Sequence, residues 1–324
     1  MTRNRKRVFL LLAAGMAAAL VGLNGVAYNQ AYTMTHFTRG GPRTPEARKL
    51  SGAQKLKTLF CGVNIPRPQA VDTRTEIGPG CVSLSIPCAD GPKLGAWYCP
   101  APSARSLVLL FHGYAGEKSS LTEEAKVFLE LGCSVLLVDA RGSGESSESY
   151  TTIGYLEGLD VAAALNYARE HYPHQRMVLY GISMGAASIL RAVAADHARP
   201  DGIIIEAVFD TLVQTVRNRF RPLHIPSFPA AEMLVFWGGR QTGFNGFSHN
   251  PVDYAKRVTC PILFMHGGQD PLARLAEGRA VYEAVPSPKE FREFPQAGHE
   301  PTFPRDPREW TAAVRRFLAG LERP

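Results

Sequence analysis

The sequence lacks several features that would point away from a single globular enzyme. It has no internal repeat and no low-complexity tract, which excludes a repeat architecture and a long disordered region. Its six cysteines show no spacing that resembles a metal site, and we predict neither a metal nor a cofactor. With 324 residues, of which 45% are hydrophobic and 20% charged, the chain is long enough to bury one large core.

A nucleic-acid footprint is also missing, although the net charge is +7. Residues 1–7 carry +4 and residues 39–68 carry +6, with no charged residue between them, which leaves residues 69–324 at −3. The basic excess therefore belongs to the N-terminal region. We expect no nucleic-acid partner for the globular part.

The N-terminus carries a basic cluster followed by an uncharged apolar run that extends from Val8 to about Tyr28. About 20 such residues are enough to cross a bilayer core. We interpret residues 1–28 as a transmembrane signal anchor, and residues 29–68, which mix Gly, Pro and Arg without periodicity, as a stalk. A signal peptide cleaved near residues 25–27 and a buried soluble helix are the alternatives.

The charges that flank this run indicate an orientation. The basic cluster of residues 1–7 favours a cytoplasmic N-terminus and an extracytoplasmic enzyme, whereas Arg39, Arg43 and Arg48 beyond the run oppose it. The catalytic part would then be membrane-anchored and extracytoplasmic, or secreted if the segment is cleaved. Deleting residues 1–37 is expected to leave a soluble, active enzyme, because no candidate site residue lies there.

The six cysteines allow disulfides in an exported chain, and Cys81 and Cys99 form the best-placed pair. If Asp90 and Gly91 make a hairpin turn, the two flanking strands bring these cysteines together. The alternative is six small buried hydrophobic side chains.

From residue 69 onward, apolar strands alternate with helical segments. The hairpin opens this part, and the later strands are predicted at 107–111, 134–138, 177–180, 202–209, 261–265 and 291–294. Such alternation predicts an α/β fold, a doubly wound and mostly parallel sheet with an antiparallel start, over residues 69–324. Residues 211–259 interrupt the alternation with prolines and aromatic residues, and an insertion there is typical of a lid.

Gly181-Ile182-Ser183-Met184-Gly185 lies between a predicted strand and a predicted helix. A serine at such a turn is held in a strained conformation with its hydroxyl exposed, and flanking glycines are needed because a Cβ would collide with the neighbouring strand and helix. The pattern predicts a nucleophile elbow with Ser183 as the nucleophile.

A serine nucleophile needs an imidazole base, and the imidazole needs an acceptor that fixes its tautomer. Asp270 and His299 each follow a late strand, where loops gather at the carboxyl edge of a parallel sheet. We assign them as acid and base, with Asp210 as the rival acid. His112 and His266 lie at strand ends beside glycine, and we interpret both as structural.

The tetrahedral intermediate requires two donors for its oxyanion. The main-chain N–H of Met184, at the start of the helix that follows Ser183, is one candidate. The N–H of Tyr114, after the turn at His112-Gly113, is the other.

These motifs resemble those of the α/β-hydrolases over roughly residues 80–322. The resemblance rests on the elbow, on the stretches 112–116, 139–146 and 266–270, and on Gly298-His299. Within the superfamily the chain is similar to the exported or membrane-anchored serine-aminopeptidase-like and carboxylesterase-like branch. The resemblance implies a triad of Ser183, Asp270 and His299 with an oxyanion hole from the backbones of Tyr114 and Met184. Serine rather than aspartate at the elbow argues against dehalogenase or epoxide-hydrolase chemistry.

The sequence therefore predicts a serine hydrolase that cleaves carboxylic esters or thioesters through an acyl-enzyme. Its expected partners are a small-molecule or lipid-like acyl ester and a membrane, through the N-terminal helix. The alternatives are a peptidase or amidase with the same triad, and a non-catalytic binding protein. Neither the natural substrate nor the oligomeric state follows from the sequence.

Overall fold

A computed structural model describes residues 3–45 and 49–322 of the chain. Its centre is one eight-stranded sheet with the strand order β1-β2-β4-β3-β5-β6-β7-β8. The strands are β1 (Val82–Pro87), β2 (Lys93–Cys99), β3 (Ser106–Phe111), β4 (Ser134–Val138), β5 (Arg176–Ile182), β6 (Gly202–Glu206), β7 (Ile262–Gly267) and β8 (Lys289–Phe294).

The sheet confirms the predicted mostly parallel architecture with an antiparallel start. β1 and β2 form the predicted hairpin and pair antiparallel, as do β2 and β4, whereas every pairing from β4 through β3 to β8 is parallel. Strands β3, β4, β6 and β7 are buried along their whole length, as expected of apolar strands covered on both faces. Cys81 and Cys99, next to the first register pair of the hairpin, are joined by a disulfide.

Helices cover both faces of the sheet. They are α1 (Arg3–Thr35), α2 (Gly52–Cys61), α3 (Arg74–Ile77), α4 (Thr122–Glu130), α5 (Glu157–His171), α6 (Met184–Ala195), α7 (Leu212–Asn218), α8 (Ala230–Thr242), α9 (Pro251–Ala255), α10 (Leu275–Ala284) and α11 (Pro307–Leu321). One core lies between the sheet and α5, α6 and α10, and a second lies between the other face and α4 and α11. A doubly wound sheet has this layer order.

Helix α1 crosses the predicted boundary at residue 28 and continues to Thr35. Between residues 9 and 23 its side chains are exposed apart from partly covered Ala13, whereas Ala27 and Ala31 are buried. The chain that follows α1 is also bound to the domain. His36 forms an isolated β-bridge with Tyr150, and the N–H of Phe37 donates to the carbonyl of Ser149 at 2.7 Å. Of the three arginines that follow the apolar run, Arg48 lies outside the described residues.

These contacts revise the expected effect of a deletion. Removing residues 1–37 would take away the packed last turns of α1 and the buried side chains of Ala31, Thr35 and Phe37. The loss of that buried surface would destabilise the domain, so we no longer expect this deletion to leave a fully active enzyme. A cut after residue 23 spares all of the packed turns.

The 211–259 segment, which connects β6 to β7, contains α7, α8 and α9. Helix α8 packs against α1: the Trp237 indole donates to Asn24 Oδ1 at 3.3 Å, and Gln241 Nε2 donates to the carbonyl of Tyr28 at 2.9 Å. Helix α7 is bound instead to the loop after β7, because Asn218 Nδ2 donates to the carbonyl of Leu272 at 2.9 Å. The segment therefore connects the N-terminal helix with the carboxyl edge of the sheet.

Candidate active site

Ser183 lies at the sharp turn between β5 and α6, with φ 53° and ψ −107°. This left-handed φ is strained for a residue with a side chain. The flanking glycines make the turn possible: a Cβ on Gly181 would lie 2.7 Å from the main chain of Gly185, and one on Gly185 would lie 2.2 Å from the carbonyl oxygen of Phe111. The turn therefore has the geometry of a nucleophile elbow.

The structure brings the three predicted triad residues together in one hydrogen-bonded chain. Ser183 Oγ lies 3.0 Å from His299 Nε2, and His299 Nδ1 lies 2.7 Å from Asp270 Oδ2. With Nδ1 protonated and donating to the carboxylate, Nε2 is left free to accept the proton of the serine hydroxyl. This arrangement can generate a nucleophilic alkoxide at Ser183.

Asp270 is buried, and its second oxygen also has partners. Oδ1 accepts the main-chain N–H groups of Leu272 at 2.8 Å and Ala273 at 2.9 Å. Hydrogen bonds from the backbone fix the orientation of the carboxylate. The imidazole of His299 therefore meets a rigidly held acceptor.

The rival acid occupies a different position. Asp210 Oδ1 accepts the N–H of Thr211 at 2.6 Å, directly before α7, and burial raises the pKa of the Asp210 carboxyl. Among the described residues, no hydrogen bond or ion pair joins Asp210 to His299. The geometry favours Asp270 as the partner of the imidazole.

The two other histidines near the site have structural partners. His112 Nε2 accepts the N–H of Ala140 at 3.0 Å, and His266 Nε2 donates to the carbonyl of Ala273 at 2.8 Å. Burial lowers the pKa of His266 and so keeps its ring neutral. Within the described part of the chain, no three His, Cys, Asp or Glu side chains form a group that could hold a metal.

The predicted oxyanion donors lie on either side of Ser183. The N–H of Met184 is in the first turn of α6, where helix geometry leaves it without an intrahelical acceptor. The loop that carries Tyr114 is close by, since a Cβ on Gly113 would lie 3.8 Å from that of Ser183. Across the described residues neither N–H has a hydrogen-bond partner, so both can donate to a ligand.

The side chain of Tyr114 makes a contact that was not predicted from the sequence. Its hydroxyl donates a 2.5 Å hydrogen bond to the carbonyl of Met34, in the last turn of α1. Burial raises the pKa of the Tyr114 phenol, which keeps it protonated as the donor in this bond. The end of the N-terminal helix therefore directly contacts the loop that carries a predicted oxyanion donor.

A buried lysine supports this same loop and was missed in the sequence. Lys118 is fully buried, and its Nζ contacts Asp139 Oδ2 at 2.5 Å and Glu145 Oε2 at 2.8 Å. Its ammonium also lies 4.6 Å from the ring centroid of Trp97. A buried cation is retained only where anions compensate it, so the 139–146 stretch holds the loop with the predicted oxyanion donor in place. The two acidic residues of that stretch were the available signal.

Glu206 is the second functional residue that sequence reasoning missed. It is fully buried at the end of β6, and its Oε1 accepts from Tyr180 Oη at 2.7 Å and from Trp310 Nε1 at 2.6 Å. Its main-chain carbonyl accepts the N–H of Ser183 at 2.9 Å. A glutamate that ends the apolar run Gly202–Glu206 was the signal that could have revealed it.

Comparison with known proteins relates the chain to hydrolases. A family model described as Hydrolase_4, serine aminopeptidase S33, matches residues 102–224. The uncharacterized protein Rv2307c of Mycobacterium tuberculosis is 26% identical over 259 residues, which cover 79% of this chain and 85% of that protein. The lysophosphatidylserine lipase ABHD12 of Mus musculus is 24% identical over 204 residues, which cover 61% of this chain but only 50% of the lipase.

Solved structures show the same fold. The esterase Pf2001 of Pyrococcus furiosus superimposes with a TM-score of 0.66 at 22% identity, over 79% of this chain and 99% of the esterase. An acylaminoacyl peptidase of Pyrococcus horikoshii superimposes with a TM-score of 0.56 at 17% identity, over 75% of this chain and 41% of the peptidase. Likeness at this level of identity establishes the architecture, while the chemistry has to be argued from the site itself.

Proposed function

We propose that this chain, which is a member of the α/β-hydrolase superfamily, is a serine hydrolase that cleaves carboxylic esters or thioesters. The observation that carries the proposal is the chain of contacts from Ser183 Oγ through His299 to Asp270, at 3.0 and 2.7 Å. Such a chain activates a hydroxyl that would otherwise be a weak nucleophile. The esterase and lipase relatives support the same reaction class.

The reaction follows from the positions of these groups. Ser183 Oγ attacks the acyl carbon while His299 Nε2 takes its proton, and the oxyanion accepts hydrogen bonds from the N–H groups of Tyr114 and Met184. When the intermediate collapses, the imidazolium gives the proton to the leaving alcohol or thiol, and the acyl group stays on Ser183. A water molecule, deprotonated by His299, then releases the carboxylic acid and restores the serine.

The 211–259 segment, which we propose is the lid, favours an ester over a peptide with a free N-terminus. An aminopeptidase site needs a carboxylate that pairs with the substrate's ammonium group. The acidic residues of this segment are Glu232 and Asp253, and each already pairs with a cation, Arg217 at 2.5 Å and Lys256 at 2.7 Å. A peptidase or amidase that recognises neutral substrates remains the second candidate, supported by the matching family model.

We further propose that α1 is a retained membrane anchor and that the catalytic domain lies outside the cytoplasm. Among the described residues, one helix is long and apolar enough to cross a membrane, over Phe9–Thr35, within which an 18-residue stretch has a mean hydropathy of 2.0. The basic residues before it favour a cytoplasmic N-terminus. The Cys81–Cys99 disulfide is consistent with an oxidising compartment.

The test combines active-site labelling with a substrate series. A fluorophosphonate should label the full-length protein, and label should be absent from Ser183→Ala, whose turnover should fall by on the order of 10⁶ while its thermal unfolding is unchanged. Acyl esters and thioesters of increasing chain length are then compared with aminoacyl amides. Near-wild-type turnover by folded Ser183→Ala would contradict the mechanism, and faster cleavage of amides than of esters would favour the peptidase.

A further inference from the structure

The free part of α1 is too short to cross a bilayer alone. Its exposed stretch, residues 9–23, rises roughly 22 Å at 1.5 Å per residue. A hydrocarbon core is about 30 Å thick and needs about 20 residues. If the core begins just after Arg7, it ends near residue 27, so the span includes turns of α1 that already pack on the domain.

Two elements of the domain surround those turns. Helix α8 contacts them through Trp237, whose ring centroid lies 5.2 Å from that of Tyr28. Helix α2 is tied to them at its C-terminal end, because Gln30 Nε2 donates to the carbonyls of Thr58 at 2.5 Å and Leu59 at 2.8 Å. The domain surface formed by α2 and α8 therefore lies at the level where the span ends.

This surface is unusually apolar for one exposed to water. Helix α2 buries none of its residues, and three of its large apolar side chains are exposed over 49% to 61% of their area. Phe236 on α8 is 47% exposed. We call these four residues the collar: Leu56, Leu59, Phe60 and Phe236. Exposed Tyr28 and Tyr32 and the exposed cations Lys55 and Lys57 accompany them. Aromatic and basic residues around an apolar patch are typical of a membrane interface.

We infer that the collar docks into the outer surface of the bilayer around α1, so that the active site takes its ester substrate directly from the membrane. This inference rests on the proposed hydrolase function and anchor. The Tyr114 hydroxyl, bonded to Met34, is only six residues along α1 beyond Tyr28, or roughly 9 Å. An ester group at the head-group level of a lipid is therefore within reach of Ser183. Lys55 and Lys57 favour anionic head groups.

Depth-dependent fluorescence quenching tests the docking in the full-length protein. Cys61, the exposed free cysteine at the end of α2, is labelled with an NBD fluorophore in a Cys260→Ser background and reconstituted into phosphatidylcholine and phosphatidylglycerol nanodiscs. Doxyl-labelled lipids should quench this probe and shift its emission to the blue. A probe at His174→Cys in a Cys61→Ser, Cys260→Ser background is the control, because His174 precedes β5 and so lies at the edge of the sheet opposite Ser183. Equal quenching at both positions, or none at Cys61, would overturn the inference.

A comparison of a membrane-bound with a soluble substrate tests the functional consequence of this docking. The triple variant Leu56→Asp, Leu59→Asp, Phe60→Asp removes no core contact, since α2 buries none of its residues. It should lose tenfold or more of its activity on a fluorogenic acyl-ester lipid in phosphatidylcholine and phosphatidylglycerol vesicles, and stay within about twofold on soluble p-nitrophenyl butyrate. Phe236→Asp should also lower activity on the lipid in vesicles more than activity on p-nitrophenyl butyrate. Val82→Asp, an equally exposed apolar position on edge strand β1, is the matched control and should change neither rate.

The possible failures are distinguishable. If the wild type hydrolyses neither substrate, the proposed function is wrong. If the wild type hydrolyses both substrates and the collar variants lose both activities equally, the collar has another role and the inference is wrong. The inference is also wrong if the collar variants change only the self-association of the protein, as detected by cross-linking.

Discussion

Thr302 donates two hydrogen bonds to Glu206 Oε2, one from its main-chain N–H at 2.8 Å and one from its hydroxyl at 2.7 Å. Thr302 lies three residues after His299, in the loop that carries the proposed base. Since the main-chain carbonyl of Glu206 also accepts the N–H of Ser183, one buried residue contacts both the proposed nucleophile and the loop of the proposed base. Glu206 does not contact the reacting atoms, so its contribution is geometric.

Replacing Glu206 by Gln should therefore impair kcat more than KM. The amide can accept at one oxygen only, so at least one pair of buried donors, from Thr302 or from Tyr180 and Trp310, loses its acceptor at about 1–3 kcal/mol for each unpaired group. We expect a tenfold or greater fall in kcat on a soluble ester and a lower melting temperature. Thr302→Ser, which keeps both donors, is the control and should retain a near-wild-type kcat. An unchanged kcat in Glu206→Gln would exclude the positioning role.

Asp270→Asn should lower kcat by about 10⁴, because an amide at this position favours the wrong tautomer of His299. Asp210→Asn serves as the matched control, since among the described residues the Asp210 side chain bonds only to Thr211 near α7, and the change should cost little activity. Steady-state kinetics on one soluble ester compare the two variants. The opposite ranking would move the acid to Asp210 while leaving Ser183 and His299 in place.

Glu124 should make stability depend on pH in an unusual direction. Its carboxyl is buried in α4, and burial, together with the nearby charge of Glu206, raises its pKa from 4.5 to about 8. Between these two values the folded state holds a proton that the unfolded state has released, so the free energy of unfolding falls as pH rises from about 4.5 to 8.

A comparison with Glu124→Gln isolates this effect, because the amide keeps the shape of the side chain but does not titrate. We expect similar melting temperatures for the two proteins at pH 5 and a clearly higher one for the variant at pH 8. Melting curves recorded at intervals between these pH values provide the measurement. A constant difference across the range would show that Glu124 does not hold the extra proton.

The fold was predictable because its central strands are buried on both faces and have continuous apolar sequences, such as Leu107–Phe111. The elbow was recognisable because the glycine requirement is local, and Asp270 and His299 were found because parallel strands direct their following loops to one edge. Lys118 and Glu206 were not found, because their roles depend on partners 21 to 104 positions away in the chain. Local pattern does not encode such pairings.

The extent of α1 was missed for a related reason. Its last turns carry polar residues, including Asn29, Gln30 and Thr33, which ended the apolar run near Tyr28 in the sequence. In the structure those side chains bond to α2 and to Val63, two residues beyond it: Asn29 to the carbonyl of Phe60 at 3.1 Å, Gln30 to that of Leu59, and Thr33 to the N–H of Val63. Tertiary contacts, rather than intrinsic propensity, carry the helix to Thr35.

Retention of the N-terminal helix is the next prediction. If α1 is an uncleaved anchor, the full-length protein should sediment with membranes and its N-terminal sequence should begin within residues 1–7. A chain beginning near Tyr28 in the soluble fraction would instead indicate a cleaved signal peptide. In spheroplasts an added protease should digest the catalytic domain, and protection of that domain would reverse the proposed orientation.

Two N-terminal deletions should behave differently, because α1 has a free part and a packed part. Removing residues 1–23 takes away only the exposed stretch and keeps the contacts of Asn24 and Tyr28 with α8. We expect this variant to hydrolyse p-nitrophenyl butyrate within about twofold of the wild-type rate and to melt at a similar temperature.

Removing residues 1–37 also removes the Met34 carbonyl that holds Tyr114, and with it the buried side chains of the last turns. The longer deletion should therefore lower both the melting temperature and kcat, since the loop with the proposed oxyanion donor loses its support. Equal activity of the two variants would show that the end of α1 does not position that loop.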